Sequence, residues 1–71
     1  MQMREAIDAV MRGRHLSFDE TYAVMRTIMT GEATDAQIGG LLIGLSMKGE
    51  TPEEISAAAQ VMREQIGRAH V

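Results

Sequence analysis

Apolar residues return along this chain at intervals of three and four, in four runs set off by glycine. Met3, Ile7, Val10 and Met11 make the first run, and Gly13 follows where a left-handed helix stop is wanted. Phe18, Tyr22, Met25, Ile28 and Met29 make the second, which Gly31 closes. The third runs from Ile38 towards Met47 and ends at Gly49. The fourth is Ile55, Ala58, Ala59 and Met62, expected to be the buried face of its helix. No segment alternates with a period of two over strand length, so the pattern predicts an all-α protein.

Helix starts are written as clearly as the stops. Ser17 with Glu20, Thr34 with Gln37 and Thr51 with Glu54 each have the spacing of a capping box, in which two side chains exchange hydrogen bonds with each other's backbone N–H. Pro52 stands at a first helical position, where its missing N–H would have been unpaired anyway. Ala33 and Ile38 occupy the positions of a hydrophobic staple. Starts and stops together predict a small four-helix bundle with helices over about 2–12, 18–30, 35–48 and 52–65.

The third helix breaks the amphipathic rule, because it keeps almost no polar face. Gly39, Gly40 and Gly44 each cost about 1 kcal/mol relative to alanine inside a helix, about 3 kcal/mol together. Bare backbone that lets another helix come close is the usual compensation. Gly40 and Gly44 share a face that Ser46 and Met47 extend, while Leu41, Leu42 and Leu45 cover another. One face is expected to serve the chain's own core and the other a second copy. Gly40, Ile43, Gly44 and Met47 are the candidate dimer-interface residues, and a wholly intramolecular use of the helix is the plainer alternative.

Composition narrows the function classes. The chain has 71 residues, too few for more than one small domain or a piece of a larger one. A net charge of -3, with a single lysine and six scattered arginines, argues against an electrostatic grip on nucleic acid. A helix-turn-helix reader is also disfavoured, since the third helix carries no side chain able to read a base edge. With no cysteine there is no disulfide and no thiolate metal site. The N-terminus lacks a signal-peptide layout, and the longest apolar run, Ile38 to Leu45, falls well short of the ~20 residues of a membrane span. A soluble cytoplasmic protein without membrane contact is expected.

Residues able to do chemistry are sparse. His15 sits in a loop with no partner at metal-ligand spacing and reads as a solvated histidine. Glu53 and Glu54 are adjacent and therefore point about 100° apart, which rules out a facing acid–base pair. Both read as helix-start carboxylates, and Lys48-Gly49-Glu50 as a helix exit. Gly39-Gly40 lies within an apolar helix and does not follow a strand, so it is no phosphate loop. Ser17, Thr34 and Thr51 read as caps, with no histidine base in reach. The seven methionines fall mainly on the stripes, as adaptable packing. No catalytic, cofactor-binding or metal-binding residue is expected in this chain.

GEATDAQIG, an apolar helix, then MKGETPEEI, preceded by REAIDAVMRGRHLSFDETYAVMRTIM, closely resembles the N-terminal helical region of the anthranilate phosphoribosyltransferase family. The resemblance covers Met3 to about Glu64. It implies a fold, the N-terminal helical domain of a larger α/β enzyme, and an activity, transfer of phosphoribosyl from phosphoribosyl pyrophosphate to anthranilate in tryptophan biosynthesis. It also implies magnesium in the full-length enzyme and a homodimer formed through the small helical domain. None of the family's substrate or magnesium residues falls on positions of this chain. The expected role is dimerisation plus one side of a cleft completed by an α/β catalytic domain absent here. The alternative is a stand-alone self-association module or a non-catalytic nucleic-acid-binding relative of the same fold.

After Glu64 the pattern changes. Ile66-Gly67-Arg68-Ala69-His70-Val71 is similar to a sequencing-library adapter translated in one frame, so residues 1–65 are expected to form the helical domain and 66–71 a non-native read-through tail. A natural helix end, with Gly67 as the stop, is the alternative.

Overall fold

The computed structural model describes residues 1–69, and side chains for residues 1–66. His70 and Val71, part of the expected tail, lie outside the described residues. These residues form four helices and no strand: α1 (Met3–Met11), α2 (Phe18–Met29), α3 (Asp35–Lys48) and α4 (Pro52–Ala69). The all-α four-helix expectation holds, with α4 running past its expected end near residue 65. A lone glycine such as Gly67 costs about 1 kcal/mol in a helix interior and does not by itself end one.

The punctuation works as read. Ser17 Oγ accepts from Glu20 N at 3.1 Å while Glu20 Oε1 accepts from Ser17 N at 2.9 Å. Thr34 and Gln37 exchange the same pair of bonds at 3.1 and 3.0 Å. At the other ends, Gly13 and Gly31 both adopt φ of 78°, the left-handed region that glycine enters without penalty. Arg14 N then reaches back to Ala9 O at 2.9 Å, and Glu32 N to Thr27 O at 3.0 Å. These are Schellman closures, which satisfy carbonyls that a helix end would otherwise leave bare.

α1 packs chiefly against α3 and α2 chiefly against α4, with α1 meeting α2 more lightly. The core joins Met3, Ala6, Ala9 and Val10 of α1, Leu16, Val24 of α2, and Leu41 and Leu45 of α3, with Ile7, Ile28 and Ala33 packed against it. In α4 the residues that point inward are Glu54, Ala57 and Val61.

That last face corrects the sequence expectation. Ile55 and Met62 are exposed, and Ala58 and Ala59 only half-buried. The same displacement occurs in α2, where Thr21 and Val24 are buried while Phe18 and Met29 are exposed. In α1, Ala6 and Ala9 are sealed and Met11 is largely open. In α4, Ala57 and Val61 are sealed while the larger Ile55 and Met62 stand open beside them.

Candidate functional site

The glycines of α3 are used inside the chain. An atom at the Cβ position of Gly44 would lie 2.5 Å from Val10 Cγ2, closer than real Cβ contacts come, so α1 and α3 meet there backbone against side chain. Gly40 faces Ile7 at an ordinary 3.8 Å, and Gly39 has open space beside it. Gly44, expected to meet a second copy, lies against Val10 of α1, and Gly40, expected to do the same, faces Ile7. Ile43 and Met47, beside them on the same stripe, are 60% and 81% exposed. Leu42, expected to share a covered face with Leu41 and Leu45, is also exposed.

These open residues belong to two apolar surfaces. Ile43 and Met47 stand free on α3, and Met11 of the adjoining α1 is exposed as well. Met47 and Met11 share a concavity with Gly44 and Val10. The second surface is a groove of about 320 Å³ between α3 and α4. Leu42 and Leu45 line one wall, Ile55, Ala58 and Met62 the other, and Met25 of α2 contributes as well.

Glu54 lines the groove where α3 hands over to α4, and it is the group that sequence reasoning misjudged. It completes the capping box, with Oε1 accepting Thr51 N at 2.8 Å and Thr51 Oγ1 accepting Glu54 N at 3.2 Å. It also does more. Oε1 accepts from Lys48 Nζ at 2.7 Å, and Oε2 accepts from Leu16 N, 38 positions away in sequence, at 2.7 Å. Both side chains of this ion pair are only 2% exposed. The Lys48 ammonium spends its other donors on Gly49 O at 2.9 Å and His15 Nδ1 at 3.1 Å. An ammonium can only donate, so in this contact His15 Nδ1 is the accepting atom.

Burial alone would push the Glu54 carboxyl above its ordinary value. The bonds from Lys48, Leu16 and Thr51, with the Lys48 charge, outweigh it and hold Glu54 below that value. A carboxylate kept ionised and sealed by three donors has neither the proton nor the access that acid–base catalysis needs. The cluster joins three segments of chain. Its signal in the sequence was faint, since Lys48 and Glu54 each have a sufficient local reading and nothing local points to Leu16.

Elsewhere, Tyr22 Oη donates to the Glu64 carboxylate, which ties α2 to α4 and raises the Tyr22 hydroxyl above its ordinary value. Among the described residues no group of three His, Asp or Glu side chains converges to hold a metal ion. No helix among the described residues is long and apolar enough to cross a membrane.

Comparison with known proteins agrees with the helical bundle. A family model described as the glycosyl transferase family, helical bundle domain, matches residues 4–66. An anthranilate phosphoribosyltransferase of Chromohalobacter salexigens is 72% identical over 76 aligned positions, which cover 100% of this chain and 22% of that protein. Enzymes of the same name from Alkalilimnicola ehrlichii and a Marinomonas species are 61% and 58% identical over the whole chain, which covers 21% and 20% of them. The chain spans about a fifth of the length of the curated relatives it matches.

Proposed function

Because this chain belongs to the glycosyl transferase family, as its helical bundle domain, we propose that it is the N-terminal helical part of an anthranilate phosphoribosyltransferase. In that role it contributes assembly surface and one side of a cleft to transfer of phosphoribosyl from phosphoribosyl pyrophosphate to anthranilate, in the cytoplasm. The observation that carries the reading is the 72% identity to the Chromohalobacter salexigens enzyme across the whole chain. The site geometry agrees with it, since the conspicuous features are uncovered apolar surfaces and the buried Lys48–Glu54 pair is sealed. Magnesium belongs, on this reading, to the remainder of the enzyme.

The test is a chimera in which residues 1–66 replace the matching segment of the Chromohalobacter salexigens enzyme. Anthranilate consumption within about tenfold of the parent, one decade being about 1.4 kcal/mol of barrier, is the expected result. A folded chimera without activity would overturn the assignment. The 71-residue chain alone should consume no anthranilate.

A homodimer is part of the same proposal, with Ile43, Met47 and the neighbouring Met11 supplying the contact in place of the occupied glycine face. Ile43→Glu with Met47→Glu places two charges on that surface and should leave a monomer by sedimentation, with helicity intact. Unchanged association in the double variant would remove α3 from the interface.

A further inference from the structure

Three remote segments converge on the Glu54 carboxylate: the loop after α1 through Leu16 N, the end of α3 through Lys48, and the start of α4 through Thr51 N. Around it stand His15, bonded to the same ammonium, and Thr21 and Glu50, which line the groove with it. Neither α3 nor α4 has the other as its main packing partner, since α1 takes one and α2 the other. The groove thus lies between two helices whose direct tie is the Lys48–Glu54 pair. Further along α4, Ala57 and Val61 are fully buried and Tyr22 holds Glu64. That part of α4 is anchored independently of its first turn.

We propose that the Lys48–Glu54–Leu16 cluster is a latch that sets the width of the groove. With the latch closed, the first turn of α4 is held to the end of α3 and to the α1–α2 loop. When it opens, that turn swings away locally about the anchored Ala57–Val61 segment, and the core of α1, α2 and α3 stays closed. A buried pair of this kind suits a two-position device. Complete, it is fully satisfied; with one partner gone, the other is left uncompensated, so intermediate positions are disfavoured. Pro52 in the same turn supplies no backbone donor that could hold it in place.

Amide hydrogen exchange on the 71-residue chain tests this, because Leu16 and Thr51 N–H both have Glu54 as acceptor. In Glu54→Gln those two amides should exchange roughly ten- to a hundredfold faster, the loss of a charge-assisted bond. In the unaltered chain those two amides should exchange through a local opening that urea barely promotes, whereas Val10, Val24 and Leu41 should exchange through global unfolding that urea promotes strongly. If Glu54→Gln does not fold, the double variant Lys48→Met with Glu54→Gln leaves no charge buried and replaces it with the same expectation. Groove width is read separately with spin labels on cysteines at the exposed Ser46 of α3 and Ser56 of α4, in a chain with no other cysteine. The α3–α4 distance distribution should broaden and shift outward in the variant. Equal urea dependence of all five amides, unchanged rates at Leu16 and Thr51 in the variant, or an unchanged distance distribution would each overturn the latch.

Discussion

Gly44→Ala adds one methyl group where α1 and α3 touch, and its effect can be worked out in advance. The new carbon would lie 2.5 Å from Val10 Cγ2, 3.4 Å from Val10 Cβ and 3.6 Å from Met11 Sδ. Val10 is itself 2% exposed and has core neighbours on its other sides, so α1 must move outward to make room. Overpacking of this kind costs about 1–3 kcal/mol, while alanine regains about 1 kcal/mol of helix propensity over glycine. Gly39→Ala has the same propensity gain on the same helix with nothing within 4 Å, so it isolates the steric part. Urea denaturation of the two variants should separate them by about 1–3 kcal/mol, with Gly39→Ala the more stable. In thermal melts that is a gap of about 4–8 °C for each kcal/mol. Val10→Ala combined with Gly44→Ala should recover part of the loss, since it removes the clashing methyl groups. Equal stability of the two single variants would refute the close approach of α1 to α3.

Further outcomes follow from the same contacts. Glu54 has a folded pKa below its unfolded value near 4.5, so it stabilises the fold above that pH, and the contribution is lost as pH falls through the lower folded value. Stability measured from pH 7 downwards should therefore decline below about 4.5, and Glu54→Gln should flatten that decline; an unaltered acid profile would show that Glu54 does not titrate as described. Ser17→Ala removes the cap of α2 and should cost about 0.5–2 kcal/mol by chemical denaturation. Ala57→Leu, at a fully sealed position, should destabilise by about 1–3 kcal/mol, while Ile55→Ala, 58% exposed, should change stability by no more than about 0.5 kcal/mol.

The helix ends were legible in the sequence because the physics that sets them is local. Ser17 with Glu20 and Thr34 with Gln37 close within one turn, and Gly13 and Gly31 need only their own backbone freedom. Which face turns inward was less legible. Ile55 and Met62 are larger side chains than Ala57 and Val61, yet the smaller pair is the buried one. In α3 the apolar residues run all round, so periodicity could not say whether Gly44 faced a neighbour or the chain's own α1. The Glu54 cluster lay furthest out of reach. Its decisive partner, Leu16 N, is a backbone group that any residue would present, and only the three-dimensional arrangement brings it within 2.7 Å.

The capping boxes also imply an order of events during folding. Those of α2 and α3 need nothing beyond three neighbouring residues, so they are available to a transition state with little else formed. The box that starts α4 reaches its full strength only when Leu16 and Lys48 have arrived, and is therefore a late contact. Damage to the cap at Ser17 or Thr34 should then slow folding, whereas damage at Glu54 should mainly hasten unfolding. The same four-residue motif thus acts as a nucleation signal at two helix starts and as a brake on unfolding at a third.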